Sequence, residues 1–358
     1  MMIPSPVKTK DPNSDSKMVF GMFAGLRKDA YAPSWLMEGV CRKWNVQAGA
    51  VQLRLVSVSE NATFALSVAG ETKAMVRVSQ PGYVAGSRAV ASEMAWIRAL
   101  HEVDDVHVID PMRTVDGSFV AEIDDAEGIT WTVVCTRFVP GMSLENVDDP
   151  VPDFATIGAS AARFHAHARQ WRPPSGFTRF QWNIADMIGP SPRWGHWEDA
   201  DLEDHDRRVC NRALSKAMEV MAQVSKTKQS WGLIHADMRL SNAIRQPDGT
   251  IAVIDFDDAG YGWYLYDYAA SLSFIEHRPL ALRLARAWVQ GYEHAAGKLN
   301  NQQLGIMAAL SMIRRLQMLG WTTNHREDAL PDGLAEEQPA GSVACALRYL
   351  DDSLWLLS

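Results

Sequence analysis

The chain of 358 residues contains no apolar run near the roughly 18 residues of a membrane-spanning helix. No segment is strongly basic and the formal net charge is -8, so neither nucleic acid nor a membrane surface is an expected partner. The four cysteines, Cys41, Cys135, Cys210 and Cys345, stand too far apart for a Cys-x-x-Cys zinc or redox site. They read as buried thiols in a reducing compartment, which makes the expected location cytoplasmic. Low-complexity tracts and internal repeats are also missing. The opening MMIPSPVKTKDPNSDSK lacks the apolar core of a signal peptide, and residues 1–32 read as a disordered leader. What is present is ordinary for a globular protein, 47% hydrophobic and 22% charged, with length enough for two lobes.

Periodicity divides the chain. Trp35, Leu36, Val40 and Trp44 lie on one face of a helix expected near 33–45. VQLRLVSVSENATFALSVAG and KAMVRVSQ alternate as strands, and SRAVASEMAWIRALHEV is helical, with Ser87 a candidate N-cap. SFVAEI and TWTVVCTRFV are further strands. The proline-rich PGMSLENVDDPVP then breaks the pattern, so the lobes are expected to be 33–140 and 141–358. Helices are expected near 153–170, 201–227, 266–276, 279–296, 301–323 and 338–355. Between them LIHAD, NAIRQ and IAVIDF form a small β insertion around the turn PDGT. The expected fold class is α+β, a small β-rich lobe followed by a larger helical one.

The β insertion gathers Asp237, Asn242, Asp255, Asp257 and Asp258, which repel one another unless a cation lies between them. His235-x-Asp237 is followed by Asn242, and a turn later by Asp255-Phe256-Asp257. That Asp-to-Asn step is the one of a kinase catalytic loop, His-Arg-Asp-x-x-x-x-Asn, with a later Asp-Phe-Gly. Phosphoryl transfer needs such a set. One carboxylate takes the proton of the attacking hydroxyl, while Asn and a second carboxylate hold the magnesium ions that neutralise the triphosphate.

With GLIHADMRLSNAI, VIDFDDAGYGWYLYDYA, SEMAWIRAL and FVPGMSL in this order, the chain past residue 35 resembles the aminoglycoside phosphotransferase and choline kinase family, including homoserine-kinase-like members. The resemblance implies a protein-kinase-like two-lobe fold, a nucleotide-binding lobe at 33–140, and a catalytic and acceptor-binding lobe at 141–358. It implies ATP and Mg²⁺ as cofactors, Asp237 as the base, and Asn242 and Asp255 as metal ligands. His235 is then structural, and Asp267 hydrogen-bonds the catalytic-loop backbone.

The chain departs from that pattern in its first lobe. At the usual nucleotide-binding Lys stands Arg77, with Glu93 its implied partner and Lys73 an alternative phosphate ligand. Strand alternation puts Val76 and Val78 on the core face and Met75 and Arg77 on the cleft face. No Gly-x-Gly-x-x-Gly is present; amides around Ser59, Glu60 and Asn61 either cradle phosphate or form an ordinary hairpin. The Gly-x-Gly in GYGWY lacks the context of a dinucleotide fingerprint. Arg239 either stabilises transition-state charge or serves the surface. His165 and His167, two apart on a helix, point in different directions and read as structural.

For the acceptor, Asp257, Asp258, Trp263, Tyr264, Tyr266 and Glu276 combine acidic and aromatic groups. They suit an amine through ion pairing and cation–π contact, or else pack the core. The expected activity moves the γ-phosphate to a hydroxyl of a small amine-bearing molecule: an amino alcohol, a hydroxy amino acid such as homoserine, or an aminoglycoside. A protein Ser/Thr kinase and a non-catalytic nucleotide-binding module are the alternatives. The stretch from Asp255 to Asp267 is too short for an activation segment, and no base or metal ligand is missing. A homodimer and the choice of ATP over GTP stay open.

Overall fold

The computed structural model describes residues 28–47, 51–58, 61–79, 81, 86–324 and 333–357. The chain divides into two compact units, one made of residues up to Met94 with Pro111–Phe138, the other of Ala95–Asp110 with Val139–Ser358. In chain order the first part holds α1 (Ser34–Trp44), β1 (Val51–Val58), β2 (Asn61–Val68), β3 (Glu71–Ser79), α2 (Gly86–Leu100), β4 (Ala121–Asp124) and β5 (Thr130–Arg137). The strands form one antiparallel sheet in the order β1-β2-β3-β5-β4.

Alternation decides which face of that sheet is buried. Leu53, Leu55, Phe64, Val76, Val78, Val133, Cys135 and Ile123 meet Leu36, Val40 and Trp44 of α1. Gly39 lets α1 approach: a Cβ there would lie 2.5 Å from Ile123 Cγ2. Residues 29–32, read from sequence as leader, instead pair with β1. Asp29 and Ala32 donate their N–H groups to Leu55 and Leu53, and Ala30 accepts from Leu55. The rest of that leader, residues 1–27, lies outside the described residues.

The stretch Ala95–Asp110, assigned from sequence to the first lobe, groups with the second unit. The reason is packing. Trp96 meets Phe164 and Phe256 edge-on at 6.0 and 5.8 Å, and Val253 donates its N–H to the His107 carbonyl.

The second unit continues with β6 (Met142–Ser143), α3 (Val151–Gln170), α4 (Ile184–Ile188), α5 (Asp204–Met221), β7 (Trp231–Ile234), β8 (Ala243–Arg245), β9 (Ile251–Val253) and β10 (Gly260–Trp263). It ends with α6 (Tyr266–Ser271), α7 (Pro279–Ala296), α8 (Asn301–Asn324) and α9 (Leu334–Asp351). Two small antiparallel sheets, β6-β8-β9 and β7-β10, carry the loops of interest. Helices α3 and α7 meet backbone to backbone, since a Cβ on Gly291 would sit 1.7 Å from the Ala155 carbonyl oxygen. Helix α8 is buried without interruption from Met307 to Gly320 and is the central helix of this unit. No helix among the described residues is long and apolar enough to cross a membrane.

Candidate active site

The second unit presents a loop between β7 and β8 whose backbone is held from below. Strand β7 stops at Ile234, and Ala236 adopts a left-handed φ of 66°. A non-glycine residue takes that conformation only where its surroundings enforce it. The enforcing group is Asp267, fully buried in the first turn of α6. Its Oδ1 accepts from Ala236 N at 2.6 Å and its Oδ2 from His235 N at 3.2 Å.

His165 completes the support. A carboxylate only accepts, so the 2.9 Å contact to Asp267 Oδ2 requires His165 Nε2 to carry the proton. Nδ1 is then left to accept from the Tyr292 hydroxyl at 3.1 Å. Burial lowers the His165 pKa against the pull of Asp267, in keeping with a neutral ring.

His235 ties this loop to the next one. Its Nδ1 accepts from Asp237 N at 3.2 Å, which leaves Nε2–H to donate to the Ile254 carbonyl at 3.1 Å. Burial lowers its pKa too, so the neutral form that makes both bonds is the resident one. Phe256 packs 4.4 Å from the His235 ring, and Ile254 N donates to the Asn242 carbonyl. Asn242 and Asp255 therefore stand at the end of one β8–β9 ladder.

Asp237 sits at the centre. Its Oδ2 accepts from Asn242 Nδ2 at 2.7 Å and Arg239 Nε at 3.0 Å; its Oδ1 accepts from Arg314 Nη2 at 3.0 Å. With Nδ2 spent on Asp237, Asn242 Oδ1, which accepts one long bond from Ser241 Oγ at 3.4 Å, is the atom with a lone pair left for a cation. Asp255 is exposed, with a φ of 63° that Asp tolerates better than most side chains. Among the described residues no three His, Cys, Asp or Glu side chains form a metal cluster. Two hard oxygen donors nonetheless suit Mg²⁺, which usually takes one or two protein oxygens and fills its shell with phosphate and water.

Several contributors carry no sequence motif. Arg179 holds the loop after Asp255, donating to the carbonyls of Phe256, Asp257 and Ala259, while Trp182 Nε1 donates to the Asp258 carbonyl at 2.8 Å. Arg314, from the middle of α8, lies 77 residues beyond the aspartate it meets. Its only advertisement is a charge pair inside the apolar run SMIRRLQML, where a buried cation must find a partner.

A family model described as the phosphotransferase enzyme family matches residues 51–300. The chain belongs to that family. Amicoumacin kinase of Bacillus subtilis (strain 168) is 23% identical over 50% of this chain and 51% of its own length. The chain thus matches about half the length of its curated relatives. Among solved structures, a microcompartment-associated aminopropanol kinase superposes with a TM-score of 0.78 at 30% identity, covering 89% of this chain and 98% of that one. The amicoumacin kinase hAmiN, solved with AMP-PNP, Ca²⁺ and Ami, gives 0.68 at 18% identity over 88% and 93%. The fold is the protein-kinase-like fold of these kinases, mixed α+β with an antiparallel sheet first and helices after.

Other family motif positions vary in what surrounds them. In the first unit Arg77 Nη2 meets Glu93 at 2.8 Å, both nearly buried, while Lys73 pairs with Glu71 in solvent. The pair thus forms with Arg77, on the face opposite Val76 and Val78. Asn61 is buried at the start of β2; Ser59 lies outside the described residues. Trp263 and Tyr264, read from sequence as acceptor-pocket or core residues, are buried and packed. Trp263 lies edge-on to Trp231 at 4.8 Å, and Tyr264 packs on His165 at 4.8 Å beneath Arg169. Glu276 is likewise taken, fully buried against Arg315 at 2.8 Å. Asp257 is half-buried and Asp258 buried, the latter close enough for Tyr266 and Arg314 to feel its charge.

Proposed function

We propose that the chain is an ATP-dependent phosphotransferase that moves the γ-phosphate to a hydroxyl of a small amine-bearing molecule, with amino alcohols the favoured acceptors. The observation that carries this is the Asp237 loop, in which base, Asn242 and the Asp255 segment are joined by direct hydrogen bonds. Asp237 accepts the hydroxyl proton as the acceptor oxygen bonds to phosphorus and the bond to the ADP oxygen breaks. Asn242 and Asp255 would hold Mg²⁺, which neutralises phosphate charge when bound. Arg77, steadied by Glu93, meets the nucleotide phosphates, and Arg239 offsets charge beside the base. Asp257 and Asp258 are the carboxylates for the acceptor's ammonium group.

The likeness to an aminopropanol kinase at 30% identity supports the amino alcohol class over larger acceptors. A small acceptor is also favoured by β10, which occupies the stretch between Asp255 and Asp267 and pairs with β7. A peptide-docking segment has no room there. All four cysteines are free thiols, which supports a cytoplasmic setting. The test is a coupled ADP-release screen with Mg·ATP across amino alcohols, hydroxy amino acids and aminoglycosides. Acceptor-dependent release with an amino alcohol is expected; none with any acceptor would sink the proposal.

A further inference from the structure

We propose that Arg314 is a positioning residue of the phosphoryl-transfer centre, fixing Asp237 so that Oδ1 is the oxygen that takes the acceptor's proton. The inference rests on the phosphotransferase reading above, but on a residue beyond the stretch that the family model matches.

Counting lone pairs selects the oxygen. A carboxylate oxygen accepts two hydrogen bonds comfortably. Oδ2 already accepts from Asn242 Nδ2 and Arg239 Nε, whereas Oδ1 accepts from Arg314 alone among the described residues. The remaining acceptor site of the base is therefore on Oδ1, beside the Arg314 guanidinium. There the acceptor O–H gives its proton to Oδ1 while its oxygen bonds to the γ-phosphorus and the bond to the ADP oxygen breaks.

Arg314 is built to hold one position. Its side chain is fully buried, and its three nitrogens go to three different partners: Nε to Ser273 Oγ at 2.9 Å, Nη1 to the Tyr266 hydroxyl at 3.0 Å, and Nη2 to Asp237. The Trp194 ring lies 5.2 Å from its Cζ. Tyr266 accepts from Arg314 and donates to Gln317 Oε1 at 2.5 Å, so both ends of that relay start from α8. Burial pushes the Tyr266 hydroxyl up to about 12, which keeps its proton available for Gln317. The next residue, Arg315, donates instead to Glu276, Ser342 Oγ and the Gln338 carbonyl. Two consecutive arginines thus fix the rotation of α8 about its axis, one against the α9 side and one against the base.

The experiment measures ADP release from Mg·ATP with water as the only acceptor and with 1-amino-2-propanol, alongside ATP affinity by calorimetry. Arg314→Met should lower both turnovers by about 100-fold, as displacement of a positioned base does, with ATP affinity kept. Arg314→Lys, which keeps one donor on Oδ1, should recover about tenfold of that loss. A folded Arg314→Met enzyme with turnover within threefold of wild type overturns the proposal, since a purely structural arginine would not split turnover from binding. If the Met variant does not fold, Tyr266→Phe decides. It removes one anchor of the guanidinium and should lower turnover severalfold at unchanged ATP affinity; unchanged turnover overturns the proposal. A wild type with no ADP release in either assay removes the phosphotransferase reading, and this inference with it.

Discussion

Asp237 is held by three donors, and replacing one of its oxygens tests the base without disturbing the loop that carries it. Asp237→Asn keeps the size of the side chain and loses the proton acceptor, so turnover should fall about 10²-fold or more while Mg·ATP still binds. Normal turnover in that variant would remove Asp237 from the role. Asp255→Ala should abolish Mg-dependent ATP affinity, and calorimetry with and without Mg²⁺ reads it directly. At Arg77 the geometry adds a finer expectation. Its guanidinium is already fixed by Glu93, so Arg77→Ala should raise the KM for ATP and lower turnover. Arg77→Lys should recover only part, because a point charge cannot serve carboxylate and phosphate with one rigid fork. Full recovery by Lys would mean that the fork is not used. Asp237 and Asp255 could be proposed from the sequence because each lies in a motif whose spacing is dictated by a short loop, whereas Arg77 rests on strand alternation alone. Trp263 and Tyr264 could be read two ways from the sequence, as pocket or as core. Aromatic side chains serve a pocket and a core equally well, and only their burial separates the two.

At the scale of elements, α8 shows what periodicity cannot report. A helix buried on every side has no polar face, so 301–323 could be recognised as helical but not oriented. Its two central arginines are separated from their partners by tens of residues, and nothing local announces which carboxylate each one meets. Asp267, His235 and Asn242, by contrast, lie in one continuous stretch, 235–267, whose loops their hydrogen bonds tie together. The 95–110 segment was misplaced because α2 runs unbroken past Met94, and helical spacing carries no mark of where one core ends. The Arg315–Glu276 pair gives the element-scale prediction. Both groups are fully buried, and burial raises the Glu276 pKa against the pull of Arg315. Arg315→Met strands that carboxylate and should cost about 3–5 kcal/mol in denaturant unfolding. Arg315→Met with Glu276→Leu should recover most of the loss, since removing both charges removes the unpaired one. A double variant no more stable than the single would show that the pair is not what the helix depends on.

The molecule as a whole carries a pH dependence set by its buried histidines. His165 and His235 are fully buried, and burial is the first cause lowering both pKa values; His167 and His277, half-buried, shift the same way for the same reason. An unfolded histidine titrates near 6.5, so below that pH the unfolded chain binds protons that the folded chain refuses. The sign follows from linkage: stability is fully present above about pH 6.5 and declines as the pH falls toward the lowered folded values. Each such histidine adds a slope of up to about 1.4 kcal/mol per pH unit in that window. Carboxylates with lowered pKa, such as Asp125 and Glu337, contribute in the same direction only as the pH nears about 4, so the two effects separate on the pH axis. Unfolding free energies measured by denaturant between pH 7.5 and 5 should therefore fall steadily. His165→Gln should flatten that fall by one histidine's share. The glutamine can still donate to Asp267, which keeps the support under Ala236, but it takes up no proton in the unfolded chain. A wild-type stability that is level across this range, or a slope unchanged in His165→Gln, would mean that these rings admit a proton in the folded state. In that case the neutral donors assigned to Asp267 and Ile254 would be wrong, and with them the account of how the catalytic loop is held.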